Sequence, residues 1–301
     1  MLYLDACRLV VRELKIVLGS CLKDNYLTPI MCYAAQQKLT ISELEKAMNA
    51  IARLPEYLDD EDLQRYHING YAKHYIDNGN KMALHPIMLI QTQENPKYLA
   101  PVMWGFIPRE VSGEQAEAYY GKTREYGSGL NATSEKMFTS RMFKESGEKR
   151  RCVIPVTAFF EPHTATVKGK PFKVPFIFER RDGAVIKLAG IYEHTYDGEF
   201  TFAVLTKPAT PLFAKIHNTK KRRPVILHDQ QTEAWLNSSS SRGYLEEIIA
   251  NYMPDESIIA QPISKDLYAR KVDSNRPNIS DPVHYTEIQI DYENKPKDLF
   301  G

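Results

Sequence analysis

Long apolar runs are missing from this 301-residue chain. No segment approaches the ~20 consecutive apolar residues of a membrane-spanning helix, so no membrane partner is expected. Cysteine is scarce. Cys7, Cys21, Cys32 and Cys152 are the four present, and they are far apart, with no CxxC pair and no metal-ligand spacing. That excludes a disulfide framework and a thiolate metal site, and it fits a reducing, cytoplasmic compartment. A glycine-rich phosphate loop, a zinc-protease motif and a nucleophile elbow are all absent, so neither cofactor nor metal is expected. Excess charge is lacking too. With a formal net charge of +1, no global positive field advertises nucleic acid, and any such site must be a local patch.

What remains is an ordinary globular composition, 43% hydrophobic and 26% charged, in a chain long enough to bury a real core. There is no internal repeat and no low-complexity tract. Near the start, Ile16 to Leu22 is apolar and contains Leu18-Gly19-Ser20-Cys21, a faint likeness to a lipoprotein cleavage site. Asp5, Arg8, Arg12, Glu13 and Lys15 interrupt any signal-peptide core.

The first well-marked element is a helix expected from Thr40 to Leu54. Thr40 and Glu43 fit a capping box, Ile41, Leu44, Met48 and Ile51 share an apolar face, and Pro55 follows. Beyond the acidic turn Asp59 to Asp62 the pattern changes to short strands rich in Val, Ile, Phe and Tyr. They are expected at Pro86 to Thr92, Leu99 to Phe106, Cys152 to Phe160, Val174 to Glu179, Ala184 to Glu193, Phe200 to Thr206 and Pro224 to Leu227. A helix capped by Ser134 is expected to reach Glu148, with further helices at Thr232 to Leu236 and Gly243 to Met253. Tyr119 to Leu130 reads as a long loop and Val283 to Ile290 as a late strand. Many short strands with interspersed helices imply one α+β domain around a curved, barrel-like, mainly antiparallel sheet.

Four polar positions stand in apolar or basic surroundings. Cys32 directly follows Met31, and removal of an initiator Met before a small residue would give Cys32 a free α-amine beside its thiol. These titrate near ~7.7–8.0 and ~8.5, so both are partly nucleophilic at neutral pH. Such an aminothiol condenses with an aldehyde to an imine, which the thiol closes to a thiazolidine; taken alone, a free cysteine is more often a buried, inert thiol. Asn131 could orient a substrate through its amide or simply sit in a turn. Glu161 ends the apolar run Arg151 to Phe160, where partial desolvation suits a general acid/base, although a strand end also faces solvent. His217 precedes the basic cluster Lys220-Lys221-Arg222-Arg223; it could relay protons or be structural. Lys215, that cluster and Arg151 could hold phosphates, and Trp104 could stack a base, although charge runs are usually solvated and aromatics usually core.

Several blocks, in order, carry a resemblance. They are Met31-Cys32, Trp104-Gly105-Phe106-Ile107-Pro108, Asn131-Ala132-Thr133-Ser134-Glu135, Arg151 to Glu161, Leu188-Ala189-Gly190-Ile191-Tyr192-Glu193 and Ile216-His217 through Leu227. Together they resemble the SRAP family, the SOS-response-associated peptidases that include abasic-site processing proteins. The likeness implies a single α+β domain with a barrel-like core and a positively charged cleft for single-stranded DNA containing abasic sites. It implies that Cys32, as N-terminal residue, crosslinks to the ring-opened deoxyribose aldehyde. Asn131 would position the N-terminal residue or sugar, Glu161 would shuttle protons, and His217 would assist ring opening or crosslink reversal. Trp104, Arg151, Lys215, Lys220, Lys221, Arg222 and Arg223 are the expected DNA contacts.

The likeness has departures. Tyr33-Ala34-Ala35 stands where the family has Gly-Arg-Phe, and Thr133 where an arginine is common. With residues 1–31 attached, Cys32 carries an amide nitrogen that cannot form an imine. We therefore read 1–31 as an extension outside the domain, a misassigned start or a propeptide, and 32–301 as the domain, with the motifs in about 32–236. Two other functions compete: a cysteine peptidase with Cys32 as nucleophile and His217 as base, removing its own extension, and a non-catalytic single-stranded-DNA module. Lyase-type strand cleavage is a further possibility of the family. A monomer, cytoplasmic and nucleoid-associated when bound to DNA, is expected.

Overall fold

A computed structural model describes residues 34–54, 86–123, 127, 129–269, 272, 274 and 276–286. In chain order, the strands are β1 (Ala35–Gln36), β2 (Ile51–Ala52), β3 (Ile87–Thr92), β4 (Tyr98–Trp104), β5 (Asn131–Thr133), β6 (Arg151–Val156) and β7 (Ala158–Val167). They continue with β8 (Lys170–Arg180), β9 (Ile186–His194), β10 (Phe200–Pro208), β11 (Arg222–Pro224), β12 (Ile226–Leu227) and β13 (Ile258–Pro262). The helices are α1 (Ile41–Met48), α2 (Ala116–Thr123), α3 (Lys144–Lys149), α4 (Pro211–Ile216), α5 (Thr232–Leu236) and α6 (Arg242–Ala250).

Five strands close on themselves in the order β10-β4-β3-β6-β9 and back to β10, with only β10–β4 parallel. This is the expected α+β barrel. Strand alternation sorts its side chains into two sets. Leu89, Leu99, Val153, Ala189, Ile191 and Leu205 pack with Leu44, Met48, Trp235, Leu245 and Ile248 from the helices. Helices cannot fit inside so narrow a barrel, so this is its outer face. Met88, Ile90, Val102, Trp104, Ile154, Leu188, Phe202 and Val204 form the other set. The barrel is tight at Gly190: a Cβ there would lie 2.9 Å from Cys152 Sγ and 2.8 Å from the Ala203 carbonyl.

A second sheet, in the order β1-β7-β8-β13, leaves the barrel at Thr157. The expected single strand Cys152 to Phe160 is therefore two strands. At the break, Thr157 Oγ1 donates to the Gln36 carbonyl at 3.0 Å and accepts from Lys38 N–H at 3.1 Å. β7 then runs on to Val167 and returns as β8 through Lys168-Gly169, both at positive φ (50° and 74°). Two such residues make the turn whose twist suits a two-residue hairpin. Glu161 thus lies inside a long strand and not at the end of one.

Other boundaries also moved. The Thr40–Glu43 capping box is present, but α1 stops at Met48 because Asn49 adopts a left-handed conformation (φ 50°). Asparagine tolerates that geometry, and Ile51, expected on the apolar face, is 62% exposed. The Ser134 segment is a single tight turn over Ser134–Lys136 with Thr133, not Ser134, at the cap position, and α3 starts only at Lys144. Tyr119 to Thr123, expected in a loop, belong to α2. Val283 to Thr286 are not strand, and the rest of that expected strand lies outside the described residues. β13, pairing with β8, was not foreseen. Among the described residues, no helix is long and apolar enough to cross a membrane.

Candidate functional site

Two of the four expected reacting residues meet. Glu161 and His217 are 56 positions apart in sequence, and His217 Nδ1 lies 3.6 Å from Glu161 Oε2, with both side chains buried. The packing that joins them is built in successive layers. Thr210 precedes α4, Pro211 takes its first turn, where a missing N–H costs nothing, and Asp255 accepts from Thr210 Oγ1 and Leu212 N–H. Phe213 then stacks on Phe159 (6.0 Å between centroids) and Phe178 (4.7 Å). Two residues along β7 from Phe159 advance ~6.7 Å and reach Glu161 on the same face. Four residues along the helix from Phe213 advance ~6 Å and reach His217 on the same side. The aromatic layer therefore sets the polar layer beside it.

His217 ends α4 at φ −82° and ψ 63°, and Asn218 N–H donates to the Ile216 carbonyl at 2.9 Å. That is an inverse γ-turn, which stops the helix and turns the imidazole toward β7. Nδ1 also lies 3.3 Å from the Arg222 carbonyl. Because Nδ1 faces two acceptors, it holds the ring proton in the neutral imidazole, and Nε2 keeps its lone pair. Nε2 is buried and has no hydrogen-bond partner among the described residues. Burial pushes the His217 pKa below its ordinary value; the Arg222 carbonyl opposes this, and the Lys173 and Lys220 charges add to it. At neutral pH His217 is an uncharged base beside a buried carboxyl.

Asn131 lies on β5, opposite Val204 of β10, and is partly buried. Cys32 lies outside the described residues. From Ala34 onward the chain is held in place: Phe160 N–H donates to the Ala34 carbonyl at 3.1 Å, and Ala35 pairs with Phe159. Gln37 is buried beyond it, its amide donating to the Leu89 and Pro155 carbonyls at 2.8 and 2.7 Å and accepting from Leu89 N–H.

The expected DNA contacts divide. Trp104 is fully buried, stacked on Phe202, its indole N–H donating to the Leu130 carbonyl at 2.9 Å. It is a core residue, and no face is open to a base. Arg151 is interior as well: its guanidinium donates to the carbonyls of Gly147, Glu148, Trp235 and Asn237. Burial lowers its pKa to about 10. Arg223 is buried against Asp255 (3.3 Å), Thr210 and the Phe213 ring. Arg222 is engaged by Glu135, at 2.6 and 2.8 Å. Lys215, Lys220 and Lys221 are exposed. Lys173, 44 positions before His217 in sequence, gave no sign of lying near it, nor did the residues that tie β7 to the His217 turn. The latter are His163, whose Nδ1 donates to the Ile216 carbonyl at 3.0 Å, and Asn218. Asn218 directly follows His217, and that adjacency was the only signal available. Among the described residues no group of side chains could hold a metal ion.

The fold is thus a barrel of five strands with a second sheet crossing from it, and a buried Glu–His pair lies where that second sheet meets the end of α4. The chain belongs to the SRAP (SOS response associated peptidase) family, whose model matches residues 31–269. It is 24% identical over 204 residues to the abasic site processing protein YobE of Bacillus subtilis, covering 65% of this chain and 86% of that one. It is 26% identical over 213 residues to the abasic site processing protein YedK of Escherichia coli, covering 68% and 84%. A protein of Bacteroides thetaiotaomicron solved by X-ray crystallography shares the fold, with a TM-score of 0.66 at 23% identity over 84% of this chain and all of that one.

Proposed function

We propose that this protein processes abasic sites in DNA, and that it does so by capturing them covalently in single strands through Cys32 as a free N-terminal residue. The observation that carries the reading is the buried Glu161–His217 pair, with Nδ1 and Oε2 3.6 Å apart. The fixed Ala34–Phe160 hydrogen bond supports it. Ala34, two positions after Cys32 in the sequence, is thereby held beside Phe160, the neighbour of Glu161. The names of the Bacillus subtilis and Escherichia coli relatives agree with an abasic-site substrate.

The chemistry requires a proton movement at every step. The α-amine of Cys32 adds to the aldehyde carbon of the ring-opened sugar, losing a proton and giving a carbinolamine. Departure of its hydroxyl as water needs a proton delivered to that oxygen, and loss of the remaining N–H proton leaves the imine. The Cys32 thiol then adds to the imine carbon while its proton passes to the nitrogen, closing the thiazolidine. A carboxyl and a neutral imidazole side by side can give and take these protons. Asn131 would orient the sugar, and Lys215, Lys220, Lys221 and Arg222 would hold phosphates; the buried Trp104, Arg151 and Arg223 leave the DNA-binding set.

Residues 1–31 must then be absent from the active form, by initiation at Met31 or by cleavage. The lone pair on His217 Nε2 also fits base catalysis of such a cleavage with Cys32 as nucleophile. Protein initiated at Met31, incubated with a single-stranded oligonucleotide bearing one abasic site, is expected to give an adduct stable in denaturing gels. Cys32→Ser should abolish it, and Glu161→Gln should slow it by ~10²-fold. Salt-sensitive binding without any adduct would instead favour a non-covalent DNA-binding module.

A further inference from the structure

We infer that Asn218 is a positioning residue for the Glu161–His217 pair. The inference rests on the reading of that pair as the reacting groups. The Asn218 side chain behaves toward β7 as a neighbouring strand would: Oδ1 accepts from Thr164 N–H at 3.0 Å, and Nδ2 donates to the Thr164 carbonyl at 2.8 Å. One residue back, His163 Nδ1 donates to the Ile216 carbonyl at 3.0 Å. These three bonds join the residues flanking His217 to the residues just beyond Glu161 on β7.

The direct contact within the pair does not by itself fix the imidazole. At 3.6 Å the His217–Glu161 contact is longer than a hydrogen bond, and α4 is only six residues long. Phe213 anchors the helix from one side, through its stack on Phe159 and Phe178. Asn218 anchors the turn from the other. Between these two fixed points His217 has one place to go. A primary amide suits the task because it offers one acceptor and two donors in a plane, the same pattern as a peptide unit. Serine at this position could make one of the two bonds, and alanine neither.

The groups that face His217 are Glu161 of β7, the Arg222 carbonyl, and the charges of Lys173 on β8 and Lys220 beside the turn. Loss of the clamp lets the turn lift from β7, admits water to the imidazole and weakens the desolvation that holds its pKa down. The test is the titration of His217 in the full chain, followed by NMR with labelled imidazole nitrogens and assigned with His217→Gln. In the unaltered chain His217 is expected to titrate below ~6.5, the ordinary histidine value. In Asn218→Ala its midpoint is expected to rise toward that value, and in Asn218→Ser to rise less. The acid limb of the adduct-formation rate, measured with protein initiated at Met31, should move with it, and the rate at neutral pH should fall by on the order of tenfold.

A His217 midpoint unchanged in folded Asn218→Ala and Asn218→Ser would overturn the inference, even if both variants were less stable. If Asn218→Ala does not fold, Asn218→Ser alone decides by the same criterion. The midpoint needs no abasic substrate. Its movement without any adduct chemistry would therefore support the clamp while removing the proposed reaction.

Discussion

At the scale of single residues, burial decides which charged and aromatic groups are available for chemistry. Arg151 and Trp104 sit in motifs that invite a DNA-binding role, yet both are interior. Arg151→Met would strand the carbonyls of Gly147, Glu148, Trp235 and Asn237. The expected cost is about 3 kcal/mol or more, read as a fall in the urea midpoint, because buried acceptors lose their donors. Affinity of the remaining folded protein for single-stranded DNA should be unchanged. Lys220→Ala and Lys221→Ala should do the reverse, leaving the midpoint in place and flattening the dependence of binding on salt. His217 gives the molecule a signature at acid pH. Its folded pKa lies below its unfolded one, so below ~6.5 the unfolded chain takes up a proton that the folded chain refuses. Stability therefore falls as pH drops through that window, until the folded value is passed. His217→Gln should remove this part of the slope in urea titrations run from pH 7.5 to pH 5.

At the scale of elements, the hydrophobic alternation made most of the barrel legible. β3, β4, β8, β9 and β10 lie where Val, Ile and Phe cluster, and the Thr40–Glu43 box marks a helix start correctly. What the sequence hid was tertiary in origin. Nothing local in Val156-Thr157-Ala158 reveals that one apolar run serves two sheets; Thr157 breaks it by bonding to Gln36, 121 positions away. The reach of β7 past Glu161 depends on Lys168 accepting a positive φ, which a non-glycine residue does not advertise. His217 and Glu161 could be named as candidates from residue type and neighbours, but their meeting depends on the Phe213 stack. Gln37 shows the same limit. Pro155 has no N–H, so the β3–β6 ladder needs another donor near Leu89, and the Gln37 amide supplies it. Gln37→Leu should cost about 2–3 kcal/mol through three unmade buried bonds. It should also slow adduct formation more than an equally destabilising change in the helices packed on the outer barrel face, such as Ile248→Ala, because it loosens the segment that leads back to Cys32. Paired stability and rate measurements on the two variants separate these effects.

At the scale of the whole molecule, a rigid barrel carries a second sheet, and the proposed site lies where β7 meets the end of α4. Neither the near-neutral charge nor the composition distinguishes this chain from other globular proteins; the site does so by position. The account makes the N-terminus of the domain a chemical group, since an amide nitrogen at Cys32 cannot form an imine. Full-length protein that retains residues 1–31 should therefore give no adduct, whereas protein initiated at Met31 should. The most direct measurement is mass spectrometry of the crosslinked peptide after reaction with an abasic oligonucleotide. The account predicts a peptide beginning at Cys32, bearing the deoxyribose remnant with the loss of one water and no free thiol. An adduct carried by another residue, or none from protein whose Cys32 is shown to be N-terminal, would contradict it.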